Sequence, residues 1–400
     1  MDKDTKTTQK VLILGAGFGG VKAALELANN PAFSVTLLSD QDNFRYYPTI
    51  FNIALGKSHV GASIPLTEVF EGKKVEIVKA TAETVDRTNK SVKTTDGKTY
   101  PYDHLVVALG VVTNYFGIAG LDQFSYGIKN LEDARELRDH LHKQLVDEKR
   151  LDANYVIIGG GPTGVELAGS LPGYMKHIMK KHGIKDANLH IDLVEAAPKL
   201  VPRMPDPYSR AVAKRLSKLG VTLYLNETVK AETADNLQMS GHNLDSHTVV
   251  WTAGVTNHPF LKVNNFLLNE KGKAKVNEYL QSEPGIYVIG DNADTQYSGM
   301  AQTALYDGQF IAAHLSAQDA GKKLVAYKPK KPVYVIPAGP QWAAVMWGQL
   351  HLYGWAGWIL REVADLKGFS DYEPWWKASK HWLAEEDEEE TCPVCTAAKI

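Results

Sequence analysis

The sequence predicts an α/β protein in which one Rossmann-like dinucleotide-binding unit is inserted into another, and three observations carry that prediction. A strand, a glycine-rich loop and a helix follow one another twice, near residues 10–30 and 155–170. Two apolar runs ending at glycine, 102–114 and 248–257, sit where a chain would cross between such units. A tryptophan-rich region then closes the chain, and it reads as strands followed by helix. The length of 400 residues allows two or three domains with their own cores.

The bulk properties exclude several classes. With 44% hydrophobic and 22% charged residues the composition is that of a globular protein, and a formal net charge of -2 gives no sign of a nucleic-acid surface. Cys392 and Cys395 are the only cysteines, which excludes a disulfide framework and makes a reducing compartment the default. The N-terminal MDKDTKTTQK has no apolar core and is not read as a signal peptide. Ala343 to Leu360 is uncharged, but Gln349, His351 and three glycines interrupt it, so strands leading into a surface helix are expected.

In the first unit, KVLILGAGFGGVKAALELANN gives four apolar residues of a buried strand, the loop Gly15-x-Gly17-x-x-Gly20 with Phe18 and Gly19 inside it, and an amphipathic helix. The first glycine permits the tight turn, the second admits a pyrophosphate to the backbone, and the third lets helix pack on strand. The helix N-terminus then offers free N–H groups and its dipole to the phosphates. The second strand, SVTLLSD, ends on Ser39 and Asp40, either of which can face a ribose.

The second unit repeats the design. YVIIGGGPTGVELAG carries Gly159, Gly161, Pro162, Thr163 and Gly164 in the same pattern, and HIDLVE ends on Glu195. Extra helical turns around PGYMKHIMKKHG are expected between them. An acid at this point favours NADH, because it would repel a 2′-phosphate; Arg203 nearby keeps NADPH as the lesser option. The crossings end at Ala108 and Gly110 and at Ala253 and Gly254. GIYVIGDNAD is a further buried strand ending on Gly290 and Asp291, whose carboxylate can bind a flavin ribityl chain or merely cap the next helix. The implied division is 1–114 and 256–325 for the first unit and 115–255 for the insert. A strand/helix region follows at 326–383, and an acidic tail with CxxC at 384–400.

Taken in order, GAGFGG, YDHLVVALG, TNYFGIAG, GIKNLEDARELR, GGGPTGVELAG, VWTAGV, GIYVIGDNAD and AQTA resemble the type II NADH:quinone oxidoreductases, a group within the two-dinucleotide-fold flavoproteins. The resemblance implies FAD on the first unit, NADH on the second, and electron delivery to a membrane quinone by a peripheral protein on the cytoplasmic side of the cell membrane. It places Gly15, Gly17, Gly20 and Asp291 at FAD, together with Pro48, Ala82 and Ala301, and Gly161, Gly164 and Glu195 at NADH. Glu166 would lie near nicotinamide and flavin, either positioning a ribose or relaying protons, and Gln302 would lie by the flavin pyrimidine edge and the quinone. The sequence departs from the family where the acceptor binds: Tyr306 replaces the second glutamine of the AQxAxQ phrase, and NFRYYPTIF is unusually aromatic. A small redox protein as acceptor, or a nicotinamide-binding redox sensor, therefore stay open. A sulfide:quinone reductase does not, because no cysteine precedes Cys392.

Six of the eight tryptophans lie between Trp347 and Trp382, beside Lys377, Lys380 and His381, and Trp355, Trp358, Ile359, Val363 and Leu366 recur at helical spacing. Such a pattern suits a headgroup-level membrane contact, with packing on the body or a homodimer as the alternative. The run EEDEEE would point away from anionic lipid. Cys392 and Cys395 have the spacing of half a zinc site or a redox pair. No second CxxC exists and His381 is the nearest imidazole along the chain, so no metal site is assigned and a functionless tail end is the alternative.

Overall fold

The computed structural model describes residues 7–185 and 187–396; the first six residues, on which part of the leader reading rests, and the last four of the tail lie outside them. Strand β1 (Gln9–Leu14) leads through the glycine loop into helix α1 (Phe18–Leu27) and strand β2 (Phe33–Ser39). Val11, Leu12, Ile13 and Leu14 are each at most 1% exposed, and burying such a side chain contributes about 1.5–3 kcal/mol. Strands β3 (Val75–Lys79) and β4 (His104–Val107) join the same sheet, and β5 (Val111–Thr113) then leaves it.

Helix α2 (Leu131–His142) starts where the Asn130 side chain accepts a hydrogen bond from the Asp133 N–H. Strand β6 (Asp152–Ile158) leads through the second glycine loop into α3 (Pro162–Lys181), whose 20 residues hold the extra turns the sequence calls for. Strand β7 (Asn188–Glu195), helix α4 (Asp206–Lys218), and strands β8 (Val221–Leu225) and β9 (Thr248–Trp251) complete this unit. Its sheet runs β8-β7-β6-β9, all parallel. Strand β10 (Val255–Asn257) returns beside β5, antiparallel, with Val111 opposite Asn257. The buried Asn292 locks this crossing: its amide donates to the Gly110 carbonyl (2.6 Å) and to Asn257 Oδ1 (3.0 Å), and its Oδ1 accepts from the Gly110 N–H (2.8 Å).

Strands β11 (Gln281–Glu283) and β12 (Ile286–Val288) complete the first sheet, in the order β11-β12-β4-β1-β2-β3, and helix α5 (Ala301–Asp319) packs on α1. The two units show the same close approach. A Cβ added at Gly20 would meet the Gly15 carbonyl oxygen at 2.0 Å, and one at Gly164 the Gly159 oxygen at 1.9 Å, so helix and loop pack as only glycine allows.

The C-terminal region is an antiparallel meander, β13 (Tyr334–Pro337), β14 (Ala343–Trp347) and β15 (Leu350–Gly354), followed by α6 (Trp355–Ser370) and α7 (Trp375–Ala384). The uncharged stretch 343–360 is thus two strands and the first turns of a helix. The aromatic segment 43–51 serves this junction: Tyr46 stacks on Phe369 at 4.1 Å and Phe44 on Tyr372 at 4.5 Å, while the Tyr372 hydroxyl donates to the Phe18 carbonyl.

The meander rests on α3 through Gly169, where an added Cβ would lie 2.5 Å from the Gly339 nitrogen. Gly169→Ala is expected to destabilise the protein by about 1–3 kcal/mol through overpacking. A calorimetric melting midpoint no lower than that of the parent would contradict this account of the junction.

Candidate functional site

A cavity of about 420 Å³ opens where the first glycine loop, both crossings and the start of α5 converge. Gly15, Gly17, Phe18 and Gly19 form one wall, Ser39 and Asp40 a second, and Ala82, Ala108 and Gly110 a third. Gly290, Asp291 and Ala301 close it opposite, and Thr163 enters from the inserted unit. Most residues singled out in the first unit therefore meet in one space. Gly20 does not line it and instead keeps α1 against the loop.

The cavity suits a dinucleotide carrying phosphates. Helices α1 and α5 both begin at it without any side-chain cap, so their first N–H groups and positive dipole ends remain for an anion. A Cβ at Gly17 or Gly110 would meet nothing within 4 Å, so the backbone there borders open space. Asp291 does not cap α5, whose N-cap position is Met300. Burial raises its carboxyl pKa, and the cations of Lys273 and Lys129 oppose that rise. Ser39 uses its hydroxyl to accept from the Gln41 N–H, which leaves the exposed Asp40 as the carboxylate on that wall.

Lys129 was not read from the sequence. It lines the cavity from the residue pair just before α2, and burial lowers its pKa against the pull of Asp291. The motif GIKNLED contains it, but only the fold shows that it faces Asp291.

At the second unit, Gly161 is the uncapped start of α3, with Pro162 at its first turn, and open space surrounds Gly161. The Glu195 carboxylate folds back onto the loop, accepting from the N–H groups of Gly160 and Ala197 at 2.7 Å each. Ala253 and Gly254 pack tightly; a Cβ at Gly254 would sit 2.1 Å from the Asn114 carbonyl oxygen. Arg203 is exposed.

Two expected placements need correction. Gln302 does not line the cavity: its amide is bound on both sides by Val333, donating to the carbonyl and accepting from the N–H at 3.1 Å. Pro48 does not line it either; its neighbours Tyr47 and Ile50 do.

A second cavity, of about 950 Å³, lies between α3, the meander turn, helices α6 and α7, and the acidic tail. Trp358, Ile359, Leu366 and Leu383 give it an apolar side, and Arg361, Glu362 and Glu385 a charged one. Arg361 is the hub of the charged side, with Asp365 at 3.1 Å, Glu362 at 3.3 Å and Glu385 at 3.8 Å. Burial opposes its charge, yet the carboxylates of Asp365, Glu385, Glu362 and Glu166 hold its pKa above the ordinary value. Burial pushes Glu385 up to about 9, with Asp365 adding and Arg361 subtracting. Glu166 lines neither cavity. It faces this cluster from α3, and burial pushes its carboxyl up to about 8 against the lowering pull of Arg361. Nothing in the sequence joins residue 166 to residue 361; periodicity in α6 marked only the tryptophan face.

The tail packs against the body of the protein. Asp387 accepts from the Ser58 N–H, Glu389 donates to the Gly56 carbonyl, and the Glu389 carboxylate pairs with His59 and Arg135. The imidazoles beside Cys392 and Cys395 are His182 and His142, not His381, which bonds to Glu373 at 2.7 Å.

Residues 9–308 match the family model for pyridine nucleotide-disulphide oxidoreductases. A type II NADH:quinone oxidoreductase of Staphylococcus saprophyticus is 30% identical over 71% of this chain and 74% of its own. One from Mycobacterium tuberculosis is 28% identical over 80% of this chain and 75% of its own. The structure of NDH2 from Plasmodium falciparum in complex with NADH superposes with a TM-score of 0.85 at 17% identity, covering 95% of this chain and 97% of that one.

Gly20→Ala forces a methyl group onto the Gly15 carbonyl and so disturbs the phosphate-facing loop. We expect the flavin retained on purification to fall roughly tenfold, the weight of losing about one good charge-assisted contact. Gly164→Ala, with the same clash in the other unit, is expected to keep its flavin. Equal flavin content in both variants would break this assignment of the two loops.

Proposed function

Because the chain belongs to the pyridine nucleotide-disulphide oxidoreductase family, and within it to the type II NADH:quinone oxidoreductases, it is an FAD-dependent NADH:quinone oxidoreductase, and we propose that the 950 Å³ cavity takes the quinone and the Arg361 cluster supplies its protons. The observation that supports this most is a charged wall that includes Glu385, whose carboxyl burial pushes up to about 9, beside an apolar side that includes Trp358, Ile359 and Leu366 of α6.

The residues present fit FAD in the 420 Å³ cavity. The N-termini of α1 and α5 would hold its pyrophosphate, Asp40 a ribose, and Asp291 the ribityl chain. When bound, FAD accepts a hydride and passes on two electrons, leaving the protein to bind, orient and exclude water. Gly161, Gly164 and the N-terminus of α3 would hold the NADH pyrophosphate, and Glu195 its adenosine ribose. The Glu195 carboxylate at the end of β7 favours NADH over NADPH, and Arg203 is the one nearby cation that would serve a 2′-phosphate.

Quinone reduction takes up two protons. Glu385 lines the cavity and carries a proton at neutral pH, so it is the first donor in this reading. Glu166 lies behind Arg361 and recharges it, acting as a relay rather than a ribose contact. Gln302, held by Val333, keeps the 333 segment in place.

Helix α6 turns Arg361 and Asp365 inward and Trp355 and Val363 outward. Trp355 is 64% exposed, Val363 59%, and Trp375 on α7 71%, while Asp365 is buried. We place this face at the headgroup level of a membrane, on the cytoplasmic side, where a quinone reaches the cavity between α6 and α7. No helix among the described residues is long and apolar enough to cross a membrane.

Purified FAD-loaded protein is expected to oxidise NADH rapidly with a short-chain quinone, slowly with oxygen alone, and more slowly with NADPH. Flavin that NADH reduces but quinone fails to reoxidise would turn the assignment toward a small redox protein or a sensor. In the quinone half-reaction the donors are protonated below their raised pKa values and lost above them, so the rate should fall as pH rises through about 8 to 9. Glu166→Gln should slow that half-reaction roughly 10- to 100-fold and remove the lower limb, with flavin reduction by NADH changed by less than about twofold. Trp375→Ala with Trp376→Ala should abolish flotation with anionic vesicles at unchanged turnover of soluble quinone. A dimer in solution that these changes dissociate would assign the face to a second copy instead.

A further inference from the structure

We propose that His142, His182, Cys392 and Cys395 form a tetrahedral zinc site that fastens the C-terminal tail to the inserted nucleotide-binding unit. The four donor atoms come from three distant stretches of chain and all lie within 4.8 Å of one another. His142 is the last residue of α2, His182 caps the end of α3, and Cys392 precedes a final helical turn, Pro393–Thr396, that contains Cys395.

Hydrogen bonding alone does not explain the arrangement. His182 Nε2 lies 3.2 Å from His142 Nε2, 3.4 Å from Cys392 Sγ and 3.3 Å from Cys395 Sγ. A ring nitrogen has one proton or one lone pair, so it cannot satisfy three partners at once. Three neighbours at nearly equal distance are, however, what the vertex of a coordination tetrahedron has. Zinc bonds of about 2.3 Å to sulfur and 2.0–2.1 Å to nitrogen put ligand atoms about 3.3–3.8 Å apart, close to these spacings.

The donor chemistry agrees. Two thiolates and two neutral imidazoles neutralise a divalent ion, and an S2N2 tetrahedron selects zinc among the common metals. All four donors share one centre, which suits a single ion. As thiols and imidazoles the four groups crowd within 4.8 Å of one another. Binding an ion would release the thiol protons and turn this crowding into bonds.

The site would hold more than two cysteines. Between α7 and Cys392 the tail runs along Gly56–His59, accepts from Arg138 at the Glu389 carbonyl (2.8 Å), and supplies Glu385, Glu386, Glu388 and Glu390 to the wall of the larger cavity. An ion at the far end fixes that wall against α2 and α3. The site therefore has a structural role, and its existence does not depend on what the cavity binds.

The test is the metal content of the full-length holoenzyme, purified without added metal and without chelator. We expect about one zinc per chain, falling roughly tenfold in Cys392→Ser/Cys395→Ser and in His182→Ala. Cobalt exchanged into the parent protein should show the intense absorption of a tetrahedral thiolate complex beyond the flavin bands, a readout that no variant's folding can confound. Chelation should expose both thiols to alkylation while NADH still reduces the flavin. Protein that carries no zinc and takes up no cobalt overturns the proposal. So does zinc that stays in both variants, or a Cys392–Cys395 disulfide in protein kept under reducing conditions.

Discussion

The buried guanidinium of Arg361 constrains the C-terminal half of the molecule. An ordinary surface helix hides its apolar stripe, yet α6 buries Gly357, Asp365 and Phe369 and leaves Trp355, Ile359 and Val363 outside. Arg361 accounts for the inversion. Removing an ion from water costs several kcal/mol, and only partners at good distance offset it. Asp365 one turn on, Glu385 from α7 and Glu166 from α3 surround it, so one cation ties three helices from two parts of the chain. Because carboxyl groups outnumber the cation, some must keep a proton. In the proposed function this ion cluster is the proton store, and the face left outside is the one offered to lipid.

The remaining architecture depends on close backbone approaches. Gly20 and Gly164 allow helix and loop to touch in each unit, Gly254 lets the returning strand pass under Asn114, and Gly169 seats the meander on α3. Asn292 holds both crossing strands at one point, beside Asp291. Thr163, which belongs to the second nucleotide-binding loop, thereby lines the first cavity.

What was legible in the sequence follows from how local each cause is. Both glycine loops, the long α3 and the strands of the meander are dictated by residues within about ten positions, and periodicity or turn chemistry reports them. The cavity wall at Ser39 and Asp40 was legible for the same reason. Lys129 beside Asp291, Glu166 behind Arg361, and His142 with His182 beside the cysteines join residues more than 100 positions apart, or on helices whose facing the sequence leaves open. The assignment of His381 as the imidazole near the cysteines illustrates the point: proximity along the chain favoured it, while the buried Glu373 beside it claimed its ring. Gln302 fails differently. Its position in the motif is as expected, but the side chain turns to the Val333 backbone.

That turn bears on why the acceptor region departs from its relatives' phrase. On α5 the first glutamine binds Val333, and Tyr306, standing where a second would be, packs into the core with Lys330 over its ring at 4.4 Å. The face of α5 that would meet an acceptor has therefore given up two amides. The 950 Å³ cavity offers polar groups instead from α6 and the tail, where Arg361, Glu362 and Glu385 stand opposite Trp358 and Ile359. An acceptor with an apolar body and carbonyl oxygens at one end matches such a space: its ring can lie on the apolar wall while its oxygens meet acids that still hold protons. In the proposed function the polar groups that serve the acceptor are thus those of α6 and the tail rather than the amides of α5.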